Sequence, residues 1–456
     1  MTSPVDPVEG GAGVEEPVPV DGRRGWAIDT TPLRNPHYRR LFGGVAATML
    51  GQPMTLVAVP FQVYELTRSS LLVGVTSIVA LVPLIVFGLL GGAIADAMDR
   101  RKLMLITSSG AAVTSALLAV QALLPGGGNL AVLWVLAACV SGFAAVNQPT
   151  RSAVIPALVG PSGVAAANAL SMTVRQAGVI VGPLIAGVLI GLGDLFLAYA
   201  VDAVGFLVAT TLLRGLPPLS PGVAVGKLRL GAAVRGVGEG FAFLRTQPVL
   251  LMTFVVDLIA MTFGWPQAVF PELSQTRFAE SANGLGWLFA GASIGALLMG
   301  LSSGWVTRVD RQGAVVLAAI AAWGLAVVGF GFAPALWLAV LCLAVAGAAD
   351  MVSAVLRTSM LQIAAPEDMR GRMQGVFIVV VAGGPRLGDL RAGALATATS
   401  VTVAMVSGGV VIVVAMAVVA LVVPSFWLFR ASGSAEARPG SPAPESGEDR
   451  PGPSVA

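Results

Sequence analysis

The chain reads as an all-α membrane protein of twelve transmembrane helices in two six-helix pseudo-repeats, and three observations predict it. Of 456 residues, 56% are hydrophobic and 11% charged, with a mean hydropathy of +0.85, which is more apolar side chain than a water-soluble core can bury. Twelve apolar runs bounded by Gly, Pro or charge are each long enough to cross a bilayer core at about 1.5 Å rise per residue. The runs also repeat: GVIVGPLIAGVL (178–189) and GPRLGDLRAGAL (384–395) share six identities in twelve at an offset of 206, and that offset pairs Arg151 with Arg357.

In chain order the first six spans fall at 41–64, 70–96, 103–124, 130–152, 165–192 and 195–214, and the second six at 248–270, 283–307, 313–332, 334–356, 372–398 and 401–429. Residues 1–36, rich in Pro, Gly, Val and acids, read as a disordered cytoplasmic tail rather than a secretory signal, and 431–456 as a similar tail. The predicted organisation is thus a first bundle over 37–214, a linker over 215–247 and a second bundle over 248–430. Within the linker, prolines at 217, 218 and 221 precede an apolar stripe of Val234, Val237, Phe241 and Leu244 set among Lys227, Arg229, Arg235 and Arg245. That pattern predicts an amphipathic helix on the inner leaflet.

Charge orients the spans. Of 27 Lys and Arg, 22 fall in loops or tails on the side of the termini, Arg68 and Arg277 on the other side, and Arg175, Arg386 and Arg391 within spans, so both termini are expected inside. The cations follow topology and form no patch for nucleic acid. Cys139 and Cys342 each sit in an apolar span, and the sole histidine, His37, precedes the first span. A disulfide framework, a metal site and an intramembrane histidine relay are therefore not encoded.

Two motifs carry a family resemblance. GGAIADAMDRRK (91–102) joins the second and third spans through small residues, two acids and three consecutive cations, and its Gly92, Asp96, Arg100 and Arg101 resemble the signature loop of the major facilitator superfamily, which latches the two halves of a transporter. Asp99 stands where that motif usually has glycine. In the fifth span, Gly178, Gly182, Pro183 and Gly187 strip side chains from one face, and the proline opens a backbone bond; helices can approach closely and bend there. This spacing resembles the antiporter motif of the superfamily's exporters, with Ala186 at a usual glycine. A degenerate copy of the loop, GWVTRVDRQG (304–313), follows the eighth span. TSMLQIAAPEDMRGRMQGVF (358–377) and AGGPRLGDLRAG look like the enterobactin exporter and multidrug efflux branch, and the resemblance covers residues 36 to 430.

Ionisable residues inside spans are the strongest pointers to function, because each costs roughly 2.5–3.5 kcal/mol near a helix centre. Arg386 and Asp389 share a face of the eleventh span, Arg391 lies round the helix, and Asp257 and Asp350 are its natural partners. Two readings stand: Asp257, Asp350 and Asp389, held by Arg386 or Arg391, contain the proton-coupling site, or they form a permanent ion cluster joining three helices. Arg175 either binds an anionic substrate or snorkels to the surface. The family lines its cavity with spans 1, 4, 7 and 10, so resemblance implies Gln52, Gln62, Asn147, Gln148, Phe263 and Trp265 near the substrate, with Arg175 as an added candidate. No arginine sits in the middle of the fourth span, where many drug/proton antiporters keep one; the coupling acids are therefore sought in the second half.

Together these features predict a secondary active exporter in the bacterial cell membrane, a monomer that exchanges protons for a siderophore or amphipathic drug-like molecule by alternating access, with no cofactor, metal or nucleic acid. GxxxxGK[ST] is absent, so ATP is not its direct energy source. An importer on the same fold and a non-transporting membrane sensor are the alternatives. A polytopic enzyme is disfavoured because no histidine, metal cluster or activated nucleophile accompanies the acids.

Overall fold

Apolar runs that must satisfy every backbone N–H and C=O internally fold as helices, and no strand occurs among the described residues. The structure, a computed structural model, describes residues 29–219, 230–281, 283–364 and 370–430. Nearly all of the two expected tails, Lys227 and Arg229 of the linker, and the side chains of Gly92, Asp96 and Val234 lie outside the described residues.

The first half contains α1 (Pro36–Thr67), α2 (Ser70–Ala97), α3 (Arg100–Ala122), α4 (Leu130–Gly191) and α5 (Leu195–Arg214). After α6 (Leu230–Thr246) the second half follows: α7 (Pro248–Gly264), a short α8 (Phe270–Gln275), α9 (Gly284–Leu301), α10 (Gln312–Phe332), α11 (Leu336–Ala364), α12 (Arg370–Ala398), α13 (Val401–Val422) and α14 (Pro424–Trp427). Ten of the described helical segments are long and apolar enough to cross a membrane. The 62-residue α4 is broken into two arms where Gly160 (φ 70°, ψ 169°) precedes Pro161, and the 29-residue α12 is long enough to cross although its charges lower its hydropathy. Counted so, the helices are consistent with the twelve expected spans.

Several boundaries differ from expectation; besides α9 ending at Leu301 rather than 307 and α13 at Val422 rather than 429, four stand out. The chain is already ordered at Thr31–Arg34, and α1 starts at Pro36 because Asn35 caps it, accepting the N–H groups of His37 and Tyr38. The fourth and fifth spans meet at one residue instead of across a loop. The seventh span stops at Gly264, since Trp265 and Pro266 leave the helix before a turn at Gln267–Val269. α11 continues to Ala364, which draws Arg357 into the helix rather than the loop expected for it.

The pieces of α6 that face protein are Val237, Phe243 and Leu244, which pack with Leu250 and Phe254 of α7 and Met373 and Val376 of α12. Its Arg235, Glu239, Phe241 and Arg245 are exposed. The stripe read from the sequence is thus split between protein and the outer face.

Two ends of the bundle are distinguishable: the linker end, where α5 ends and α7 begins, and the far end, where α1 ends and α2 begins. At the linker end Asp99 caps α3, accepting from Lys102 N at 2.9 Å and from Leu219 N at 3.0 Å. Arg100 donates to Ala153 O at 3.1 Å and Arg101 to Arg214 O. Both arginines thus donate to first-half carbonyls, and Arg101 does so at the last residue of α5, where a cation complements the helix end.

Candidate functional site

The seam between the halves is built from the two repeated glycine helices. Cβ atoms placed on Gly178 and Gly182 would lie 2.1 Å from Met49 O and 2.8 Å from Pro53 Cβ, so those glycines let α4 lie directly on α1. Their repeats, Gly384 and Gly388, do the same for α12 on α7, 2.8 Å from Met261 Cβ and 2.3 Å from Met261 O. The third glycine of each set crosses to the other half: Gly187 meets Asn283 and Gly286 of α9, and Gly393 meets Ser70 and Leu71 of α2. The facing helices return the contact, Gly286 against Pro183 O (2.7 Å) and Gly74 against Asp389 O (2.6 Å). Backbone approach this close needs positions without a side chain.

Hydrogen bonds close the same seam toward the far end. Asn283 donates to Leu184 O at 2.9 Å, and Leu71 N to Thr397 Oγ1 at 3.0 Å. Ser70 donates to Glu272, and Gln275 bridges Glu65 and Arg68. Deeper in the seam, Asp389 is 6% exposed and accepts from Ser77 Oγ of α2 at 2.7 Å and from Ala268 N at 3.0 Å. The break at Trp265 and Pro266 explains the second bond: it takes Ala268 N–H out of the helical ladder and leaves it for a side chain. Six hydrogen bonds between the halves thus lie in this region.

The cations of α12 are placed differently from expectation. Arg391 does not reach Asp257 or Asp350; it donates to Phe263 O (2.9 Å) and Ala404 O (3.1 Å), with its guanidinium carbon 5.3 Å from the Phe263 ring centre. The carbonyl of Phe263 is another group released by the end of α7, and Arg391 satisfies it. Arg386 donates back to Ala382 O at 2.8 Å and acts on Asp389 only as a neighbouring charge. Asp257 pairs instead with Arg357, at 2.6 Å. Arg357 escaped attention as a site because the tenth span was expected to end one residue before it.

Several polar residues expected near the substrate face inward within one half. Gln62 is 1% exposed, donates to Gly127 O and accepts from Tyr199 Oη. Asn147 is buried and donates to Thr107 Oγ1 and Ser108 Oγ on α3. Phe263 serves as the platform for Arg391. Gln52 and Trp265 are half-buried, with Trp265 beneath Gly388, while Gln148 and Arg175 are exposed. Asp202, not placed in the site, is fully buried and accepts from Thr55 and Ser115, each at 2.8 Å.

Known structures share this fold. The nucleoside transporter NupG superposes with a TM-score of 0.66 over 88% of this chain and all of its own length at 14% identity. A bacterial homologue of the human lysosomal transporter Spinster, in an inward-facing and unoccupied conformation, gives 0.65 over 91% of this chain and all of its own at 16% identity. At such identities the likeness concerns the fold. By sequence, the enterobactin exporter EntS of Shigella boydii serotype 4 is 28% identical over 388 residues, 85% of this chain and 92% of that protein. Its counterpart in Citrobacter koseri is 28% identical over 394 residues, 86% and 93%. The family model for transmembrane secretion effectors matches residues 27–441, and this makes the chain a member of that family of major facilitator transporters.

Proposed function

We propose that the protein exports a siderophore or a related amphipathic small molecule in exchange for protons, by alternating access, with the linker end in the cytoplasm. The similarity to enterobactin exporters supports the substrate class and direction, and the cations gathered at the linker end support the orientation. One observation carries the coupling: Asp389 is a buried acid whose two described bonds tie α12 to Ser77 in the other half and to the broken end of α7. A carboxylate accepts both bonds as charge-assisted ones; adding a proton removes the charge that strengthens them. Occupancy of this acid is thereby linked to whether the far end stays sealed, which is the differential interaction that alternating access requires. Gln52, Gln148, Arg175 and Trp265 are the residues left to line the substrate path.

The test is substrate-evoked proton movement in inverted membrane vesicles, with a panel of catecholate siderophores and cationic drugs. Proton movement with a panel member in the wild type, lost in Asp389→Asn that inserts normally, is the expected result. A folded wild type that moves none with any member, or Asp389→Asn that couples as well as wild type, refutes the reading.

A further inference from the structure

A buried ion pair and a second acid lie inside the second half. Asp257 of α7 is 1% exposed and closes its 2.6 Å ion pair with Arg357 of α11, which is 9% exposed and donates through Nε to Ser353 Oγ at 3.0 Å. Asp350, two turns earlier on α11, interacts electrostatically with both Arg357 and Asp257, and its Oδ1 is buried with no hydrogen-bond partner in the protein. One negative charge is left over.

Among the described residues of the helices that flank α11, no second cation balances it. α9 and α10 flank α11 and carry no charged residue over 284–301 and 312–332, and Asp257 is the one charged residue of α7. The turn Ser303–Arg308, which also touches α11, holds its Arg308 in an exposed position. On α12, Arg391 is taken up by the carbonyls of Phe263 and Ala404, and Arg386 by Ala382 O. An unbalanced charge in a low-dielectric interior is removed by binding a counter-charge, and a proton is the one that needs no further ligands.

We propose that this cluster binds one exchangeable proton, carried on Asp350, and that Arg357 is the positioning residue that keeps Asp257 ionised and leaves Asp350 to take it. The role of the site in transport rests on the proton-coupled reading above; the site itself does not. Asp350 is also less enclosed than Asp257, which gives the proton a way in.

Infrared difference spectra of the full-length protein in lipid nanodiscs, taken across a pH series without substrate or sodium, read the proton directly. Beside any band from Asp389, wild type is expected to show a protonated-carboxyl stretch that Asp350→Asn deletes at unchanged helix content and Asp389→Asn leaves in place. Asp257→Asn leaves one acid for one cation and deletes it too. Arg357→Gln leaves two acids without a cation and adds a second such band, and Arg357→Lys restores the wild-type spectrum. Asp350→Asn that removes no protonated-carboxyl band from the wild-type spectrum, or a band assigned to Asp350 that vanishes from wild type when sodium is added at constant pH, overturns the assignment. Should Arg357→Gln fail to fold, the two aspartate variants still decide. Loss of transport coupling with these bands intact would instead count against the antiport reading alone.

Discussion

The second arm of α4 and α12 have the same scaffold and different chemistry. Gly178, Gly182 and Gly187 recur as Gly384, Gly388 and Gly393, and in both helices two glycines press on the first helix of their own half while the third crosses the seam. Yet the positions that correspond to Arg386, Asp389 and Arg391 are Ile180, Pro183 and Ile185. Even the backbone roles match, since Pro183 O and Asp389 O each lie against a glycine of the facing helix. Packing at the seam has therefore kept its two-fold character, whereas charge has been placed on one side only. On the proposed reading the difference separates two tasks: both glycine helices bring the halves together, and α12 makes that contact respond to a proton.

The strongest way to break the comparison is to fill the crossing glycines. Gly393→Val puts a branched side chain where even a Cβ would be 2.1 Å from Ser70 O, and Gly187→Val faces Gly286 N at 2.6 Å. Each is expected to lower transport about tenfold or more, the equivalent of about 1.4 kcal/mol against the sealed far end. Spin-label distances across the far end should lengthen in both variants. If only Gly393→Val opens that end, the two helices do not share the packing task.

A smaller effect tests the chemical half of the contrast. Pro183→Ala removes the residue that occupies the place of Asp389 and should keep more than half of wild-type transport with its proton coupling intact, measured in the same vesicles as Asp389→Asn, where coupling is expected to be lost. Ser77→Ala is milder still: it deletes one of the two bonds to Asp389, worth about 1 kcal/mol, and should move the open-to-sealed ratio of the far end roughly fivefold by the same spin-label distances.

How far the sequence reveals this site depends on what kind of partner each residue has. The glycine spacing was legible, because close backbone approach leaves a period along one helix. Asp389 was legible as an intramembrane acid, but its partners were not: Ser77 lies 312 positions away, and Ala268 N becomes a donor only because the chain leaves the helix at Trp265 and Pro266. The apolar run over 248–270 hides that break, since hydropathy does not register a lost turn. Arg357 was hidden by a boundary eight residues short, as α11 runs to Ala364. Gln62 and Asn147 show the reverse problem. A polar residue on a membrane helix faces protein whether that protein is the neighbouring helix or the cleft, and sequence periodicity does not distinguish the two.

The least effect is expected at Asp202, the buried acid of the first half. Its Oδ2 accepts hydroxyls from Thr55 on α1 and Ser115 on α3, and Gly51 packs so closely that a Cβ there would lie 2.3 Å from Asp202 Cα. All three contacts lie within one bundle, and none touches the seam. Asp202→Asn keeps an acceptor of the same shape for both hydroxyls, so transport, its pH dependence and thermal stability should all stay close to wild type. Asp202→Ala strands the two hydroxyls in an apolar interior, at a cost of about 1–3 kcal/mol, and should lower the melting temperature without changing the number of protons moved per substrate. Should Asp202→Asn abolish proton movement in a well-folded protein, the first half would hold a coupling acid of its own, and the division of labour between the two glycine helices would have to be redrawn around α1 and α5.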